Sequence, residues 1–340
     1  MEISLCYTVE MLSRRRLTAT LLAALLVPAC GGGGGEATLR LGYFPNITHA
    51  TALVGVEEGI FARNLGATKL DTFTFNAGPA AIEALLSGSL DAAYVGPNPA
   101  INGFVKSRGE AVRIVAGATS GGAALIVRPE IAAAGDLRGK QVASPQLGGT
   151  QDVALRTWLK SQGLATDTAG GGDVSVVPQE NAQTLERFRS GELAGAWVPE
   201  PWASRLVLEG GGKVLVDERD LWPGGQYTTT VLLVRRAYLQ AHPDRVEALL
   251  RGHVEATRWL ADHKDAARAR VNAAIEGLTG KRIGDEVIVR AFASLTFTTD
   301  PQMASLEKSA ADAAGLGLLK LDGVDLAPLY DASLLQKVAP

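Results

Sequence analysis

Apolar residues follow two spacings after residue 36, and the change between them predicts an alternation of strands and helices. The predicted strands are 38–43, 72–75 and 92–95. Apolar residues at helical spacing predict a helix over 49–64 that ends at Gly66, and a second helix over 80–86 that ends at Gly88. Such an alternation is typical of an α/β fold with largely parallel sheets.

One long internal repeat follows the same pattern. Residues 81–100 read AIEALLSGSLDAAYVGPNPA, and residues 184–203 read TLERFRSGELAGAWVPEPWA without a gap. Both stretches predict a helix, a Ser-Gly turn, a strand and a proline-containing loop. A single duplication of about 100 residues predicts two similar α/β lobes rather than a solenoid. Chance similarity between two amphipathic helix–turn–strand units remains the alternative.

Five loops follow the carboxyl ends of the predicted strands, where open α/β sheets bind their ligands. These loops are 44–49, 76–79, 96–99, 145–150 and 199–202. If the two lobes face each other, all five loops line one cleft. The pattern therefore predicts a ligand-binding architecture.

Composition and the absence of catalytic motifs argue against several classes of function. The 340 residues are 46% apolar with a net charge of −3, which is ample for two cores and argues against a nucleic-acid partner. Both cysteines, Cys6 and Cys30, lie in the first 30 residues, so thiolate metal sites and cysteine nucleophiles are excluded beyond them. No H-E-x-x-H, Walker or G-x-S-x-G motif follows. We therefore expect neither an enzyme nor a metal or other cofactor.

The amino-terminal segment predicts export. Residues 1–30 have a basic stretch, an apolar run at 17–27 and a small residue before Cys30, and the start codon could be that of Met11. The run is too short to span a bilayer. We expect Cys30 to be lipidated, with the glycine-rich residues 31–36 as a flexible tether. Simple cleavage without lipidation, and the choice between Sec and twin-arginine export, remain open.

Several segments resemble the nitrate/sulfonate/taurine group of periplasmic solute-binding proteins. They are LRLGYFPNITHA at 39–50, EGIF at 58–61, AAYVGPNPAI at 92–101, VPEPWA at 198–203, LLV at 232–234 and AHPD at 241–244. The resemblance extends from residue 38 to about residue 335. It implies a type II periplasmic binding protein fold, with two α/β lobes around a ligand cleft joined by a two-strand hinge.

The resemblance also implies domain limits and partners. Lobe I would comprise 37–125 and 228–340, and lobe II would comprise 126–227, with crossings near 126–127 and 228–229. The protein would be a monomeric extracytoplasmic receptor that delivers an aliphatic sulfonate, taurine or nitrate to an ABC transporter permease. It would be held at the membrane by its lipid anchor. A receptor for a thiamine-precursor pyrimidine or another heterocycle is the alternative, with Trp202 and Tyr227 as stacking residues.

Candidate ligand-binding residues follow from the chemistry of oxyanions. Helix N-termini offer free N–H groups and a positive dipole end, so an anion can be held without an arginine. The candidate ligand-binding residues are Asn46, Thr48, His49, Gly78, Pro79, Asn98, Gly149, Thr150, Glu200, Trp202 and Thr228. Structural roles remain open for several of them: helix N-caps for Thr48 and Thr150, and a turn for Asn98. Glu200 would orient an amine, pair with a lobe I group on closure, or be a solvated loop acid.

Overall fold

The computed structural model describes residues 37–339, so the predicted signal, lipidation site and tether lie outside the described residues. The strands are β1 Thr38–Tyr43, β2 Lys69–Thr74, β3 Ala92–Val95, β4 Val112–Gly121, β5 Ala123–Val127, β6 Gln141–Ser144, β7 Ser175–Pro178, β8 Gly195–Pro199, β9 Lys213–Asp217, β10 Thr228–Arg235 and β11 Leu295–Phe297. The helices are α1 Ala50–Glu57, α2 Ile60–Leu65, α3 Gly78–Leu86, α4 Pro97–Lys106, α5 Thr150–Ser161, α6 Asn181–Arg189, α7 Trp202–Leu208, α8 Arg236–Ala241, α9 Pro243–Asp262, α10 Lys264–Thr279, α11 Asp285–Ala293, α12 Met303–Gly315 and α13 Leu335–Val338. Over 37–339, none of these helices combines the length and the apolar character that a membrane span requires.

The strands form two sheets of closely similar topology. The first has the order β11-β4-β10-β3-β1-β2, and the second has the order β7-β6-β8-β5-β9. In the first sheet β1 is parallel to β2 and β3, and β10 runs antiparallel between β3 and β4. In the second sheet β6 is parallel to β7 and β8, and β5 runs antiparallel between β8 and β9. The predicted α/β fold is therefore confirmed, but the sheets are mixed rather than largely parallel, because β10 and β5 run antiparallel to both of their neighbours.

The internal repeat corresponds to a repeated supersecondary unit. The unit α3–β3–α4 lies in the first half and α6–β8–α7 lies in the second. Gly88 and Gly191 each follow the helix that opens the unit and have φ angles of 77° and 86°. This left-handed conformation strains residues that carry a Cβ, which explains why the same Ser-Gly turn appears twice.

Helices cover both faces of each sheet. In β3, Ala92 and Tyr94 enter one hydrophobic cluster, whereas Ala93 and Val95 enter the cluster on the opposite face. The second sheet shows the same alternation in β8, where Trp197 and its neighbours belong to different clusters. Side chains of successive strand residues point to opposite faces, so burial on both sides is expected for a sheet that helices cover on both faces.

Three predicted elements have different bounds. The strand predicted over 72–75 is β2 at Lys69–Thr74, and two helices differ for local reasons. The helix predicted over 49–64 is broken into α1 and α2 at Gly59, whose φ is 64°. The break lets the ring of Phe61 fold back onto α1, where a Cβ on Gly55 would lie 2.2 Å from that ring. The second helix begins at Gly78 rather than at residue 80. Pro79 is tolerated in its first turn, because the N–H that proline lacks would have no partner in the helix at that position.

The chain crosses between the sheets twice. It leaves the first sheet at the end of β4 and enters the second at β5, through Gly121 and Gly122, which both have positive φ angles. It returns between β9 and β10. The first crossing therefore lies earlier than the position predicted near Ile126 and Val127, because those two residues are inside β5, whose five residues all pair with β8.

Candidate ligand-binding site

A cavity of about 70 Å³ lies where the carboxyl ends of β1, β3, β6 and β8 meet. A single water needs about 10–15 Å³ of such space, so the cavity holds a molecule of only a few heavy atoms. Its lining residues are Phe44, Asn46, Thr48, His49, Asn76, Ala77, Gly78, Pro79, Gly96, Pro99, Pro145, Gln146, Gly149, Thr150, Gln151, Asn181, Pro199, Thr229 and Thr230. None of these residues carries a formal carboxylate, ammonium or guanidinium charge.

Four helices begin at the cavity. These helices are α3, α4, α5 and α6, and their N-cap residues are Ala77, Gly96, Gly149 and Glu180. None of the four N-caps makes a side-chain capping bond, so the N–H groups of the first turns lack that partner; the prolines in the first turns of α3 and α4 have no N–H to offer. The positive ends of four helix dipoles therefore converge on a cavity without charged side chains.

Glycines allow the close packing around these helix ends. A Cβ on Gly78 would lie 2.4 Å from Cγ of Pro99, and a Cβ on Gly96 would lie 2.5 Å from Oγ1 of Thr150. Neither position tolerates a side chain without a shift of its neighbour. Gly96 follows a strand of the first sheet and Thr150 follows a strand of the second, so the two halves of the molecule pack tightly against each other at this point.

Several buried polar atoms in the cavity wall have no hydrogen-bond partner in the protein. These atoms are Oε1 of Gln146, Oγ1 of Thr150, Oδ1 of Asn181 and Oγ1 of Thr230. An unsatisfied buried polar group costs about 1–3 kcal/mol. A polar ligand in the cavity would supply the missing partners.

The segment after β1 contributes a neutral histidine. Nδ1 of His49 accepts a hydrogen bond from the Phe44 N–H at 3.3 Å, and the two rings stack at 4.3 Å. Burial lowers the pKa of His49 to about 3, so the ring is uncharged near neutral pH and carries its proton on Nε2. That N–H is a donor without a formal charge.

Thr48 and Thr150 are not N-caps. Asn46 is the cap of the short helix at Ile47–His49, where its side chain accepts from the Thr48 N–H at 3.3 Å. The carbonyl of Thr48 accepts from Thr119 Oγ1 at 2.6 Å, which fixes the loop to β4. Thr150 is the first residue of α5, after the N-cap Gly149. Seven of the predicted residues line the cavity together: Asn46, Thr48, His49, Gly78, Pro79, Gly149 and Thr150.

Two predicted residues point away from the cavity toward α12. The side chain of Asn98 donates to the carbonyl of Ser309 at 3.2 Å. Thr228 donates its hydroxyl to the carbonyl of Pro301 at 2.5 Å. Both side chains are buried and neither lines the cavity. Their partners lie in the carboxyl-terminal part of the chain, which no local pattern connects to them.

Glu200 and Trp202 also lie outside the cavity wall. The Glu200 carboxylate accepts from the N–H and hydroxyl of Ser204 and from the Ser294 hydroxyl at 3.2 Å. It is 4% exposed, so it is not a solvated loop acid, and burial raises its pKa. Trp202 packs beside the second sheet, with the Arg205 guanidinium 4.8 Å from its ring centre.

Sequence reasoning missed three of the residues with unpartnered atoms. Gln146 lies in the predicted loop 145–150 but was not singled out. Asn181 is the repeat equivalent of Gly78, so the alignment of the two halves could have identified it. Thr230 lies on β10, whose place beside the cavity depends on the return of the chain to the first sheet. Among residues 37–339 no group of three or more His, Cys, Asp or Glu side chains could hold a metal ion.

Comparisons with known proteins agree with this architecture. The chain is similar to the taurine-binding periplasmic protein of Escherichia coli K12, at 28% identity over 236 residues, covering 66% of this chain and 71% of that protein. The alkanesulfonate-binding protein SsuA from Xanthomonas axonopodis pv. citri, bound to MOPS, superposes with a TM-score of 0.70 at 21% identity, over 87% of this chain and 98% of that one. The nitrate-binding protein NrtA from Synechocystis PCC 6803 gives a TM-score of 0.72 at 17% identity, over 89% and 88% of the two chains.

These likenesses confirm the periplasmic binding protein fold that the sequence resemblance implied. The model of the NMT1-like family matches residues 32–276, which is most of the chain. The chain therefore belongs to the NMT1-like family.

Proposed function

We propose that this protein is a non-enzymatic, exported receptor of an ABC importer, which binds a small oxyanion in the cavity and delivers it to a permease. Its relatives are binding proteins for taurine, alkanesulfonate and nitrate. The observation that carries the proposal is the convergence of four helix N-termini on a cavity with unpartnered polar atoms and no charged side chain. Such a site stabilises a single negative charge through N–H groups.

The size and neutrality of the cavity favour the smallest ligands of this class. A volume of about 70 Å³ suits nitrate, bicarbonate or a short alkanesulfonate. The ammonium group of taurine would meet no carboxylate in the wall, because Glu200 is buried against Ser204 and Ser294. We therefore place simple monoanions ahead of zwitterions.

A heterocyclic ligand is less well supported. Trp202 and Tyr227, the expected stacking residues, do not line the cavity. The Tyr227 hydroxyl instead accepts from the Ala123 N–H at 2.9 Å, beside the crossing between the sheets. The aromatic rings of the wall, Phe44 and His49, already stack on each other.

We propose two lobes whose limits follow the sheets. Lobe I would comprise 37–121 and 228–339, and lobe II would comprise 123–217, which moves the first crossing a few residues earlier than the sequence suggested. Contacts between the two parts include Lys160 Nζ with the Gly315 carbonyl at 2.9 Å and Glu200 with Ser294. Breaking these contacts would open the cavity, and a ligand bound by both lobes would close it.

The proposed location rests on residues 1–36. We propose that export is followed by lipidation of Cys30, so that the protein is a monomer held at the membrane surface. Detergent phase partitioning of the expressed protein tests this, since wild type should enter the detergent phase and Cys30→Ser should enter the aqueous phase. Equal partitioning of the two would contradict lipidation.

A thermal-shift panel tests the ligand class. The panel contains nitrate, bicarbonate, methanesulfonate, taurine and a 4-aminopyrimidine. A ligand at 100 times its Kd stabilises the fold by about 2.7 kcal/mol. We expect the largest shift with a monoanion. A shift with the pyrimidine and with none of the anions would overturn the proposal.

A further inference from the structure

One short segment supplies a whole side of the cavity wall. It runs from the end of β6 into the first turn of α5, and its lining residues are Pro145, Gln146, Gly149, Thr150 and Gln151. The segment is bracketed by Ser144 and Asp152, whose side chains are fully buried. The contacts that hold Ser144 and Asp152 together therefore also fix the positions of the unpartnered atoms of Gln146 and Thr150.

The carboxylate of Asp152 joins the two ends of the segment. Its Oδ1 accepts from the Ser144 hydroxyl at 2.7 Å, and its Oδ2 accepts from the Gly148 N–H at 2.9 Å. These bonds close the loop over only a few residues. Hydrogen bonds to a charged acceptor are shorter and stronger than those between neutral groups, so the loop is strongly constrained.

Arg156 cancels the charge of this carboxylate. Its Nε donates to Oδ2 of Asp152 at 3.0 Å, and its Nη1 donates to the Asp167 carbonyl at 2.6 Å. The guanidinium is 2% exposed and its Nη2 has no partner. A buried ion pair of this kind is weak evidence for stability, which leaves room for another role in the properties of the site.

The role that we infer for the ion pair is electrostatic. Asp152 lies two residues after Thr150, in the first turn of α5, which borders the cavity. An uncompensated carboxylate there would repel an anion and offset the helix dipole. With Arg156 beside it, the carboxylate can organise the loop while the pair remains neutral.

We propose that Asp152 is a positioning residue for anion binding, and that Arg156 acts through it by neutralising its charge. The inference rests on the proposed function. Neither Asp152 nor Arg156 lines the cavity, but both would change the affinity of the site for its ligand.

Four variants separate charge from packing. Asp152→Asn keeps the geometry, since its amide can donate to the Ser144 hydroxyl while its oxygen still accepts from Gly148 and Arg156. Arg156→Met keeps the length of the side chain but leaves the carboxylate unpaired. The double variant removes both charges. Arg205→Met is the matched control, because Arg205 of α7 forms a half-buried i,i+4 pair with Glu209 outside the cavity.

Calorimetric titration with nitrate and with methanesulfonate measures the effect, and melting of the ligand-free proteins checks the fold. We expect Arg156→Met to weaken binding at least tenfold, Asp152→Asn to bind as tightly as wild type or more tightly, and the double variant to return within threefold of wild type. Arg205→Met should bind like wild type.

Three results would overturn the inference: unchanged affinity in Arg156→Met, a loss of tenfold or more in Asp152→Asn, or a double variant as weak as Arg156→Met. If Arg156→Met fails to fold, the affinities of Asp152→Asn and of the double variant still test the inference. Failure of wild type to bind any anion would instead count against the proposed function.

Discussion

Replacing Thr150 by valine should weaken ligand binding without destabilising the ligand-free protein. Oγ1 of Thr150 is buried in the cavity wall and has no partner in the protein. A hydrogen bond from this hydroxyl to a charged ligand is worth about 1.5–3 kcal/mol, which corresponds to a loss of about 10- to 150-fold in Kd. Valine has nearly the same shape and removes an unsatisfied hydroxyl, so the Tm of the ligand-free protein should stay level or rise.

Calorimetric titration of Thr150→Val with the tightest monoanion, together with melting of the ligand-free protein, checks both parts. Thr257→Val is the matched control, because the Thr257 hydroxyl on α9 donates to the His253 carbonyl at 2.8 Å outside the cavity. The control should lose about 1 kcal/mol of stability and keep the wild-type affinity. Wild-type affinity in Thr150→Val, or a lowered Tm with no change in affinity, would refute the assignment of this hydroxyl to the ligand.

Three further predictions concern other parts of the molecule. Gly96→Ala places a Cβ 2.5 Å from Thr150 Oγ1, so the neighbour must shift, and the change should weaken anion binding by about 1–2 kcal/mol in calorimetry and lower the ligand-free Tm; an unchanged Kd would contradict the close approach. Burial raises the pKa of Glu218 from 4.5 to about 7, so wild type should lose about 3 kcal/mol of stability as the pH rises from 4 to 8. Urea unfolding should show this loss in wild type and not in Glu218→Gln, and parallel pH profiles would contradict it. Gly88→Ala and Gly191→Ala should each cost about 1 kcal/mol and add in the double variant, because both glycines have positive φ angles; urea unfolding of the three variants measures this, and a neutral Gly191→Ala would argue against equivalent turns.

Local sequence patterns were sufficient to predict features that depend on a single strand, helix or turn. The bounds of β1 and β3 follow from short apolar runs, and the repeated Ser-Gly turn revealed the second α/β half. The cleft loops were also predictable, because the carboxyl ends of parallel strands lie at one edge of a sheet. Seven predicted residues consequently lie together in one cavity wall.

Residues with distant partners were not predictable in this way. The side chain of Asn98 reaches the carbonyl of Ser309, which is 211 positions away, and Thr228 reaches Pro301. Thr230 lies at the cavity only because β10 returns to the centre of the first sheet. Such placements depend on tertiary packing that neither hydrophobic spacing nor loop position encodes.

Titration of the wild-type protein with nitrate, bicarbonate and methanesulfonate in a calorimeter tests the central claim most directly. The account predicts one saturable site per chain for at least one of these monoanions, with weaker or no binding of taurine. The absence of binding heat with all three anions at millimolar concentration, in a protein that melts cooperatively, would contradict it.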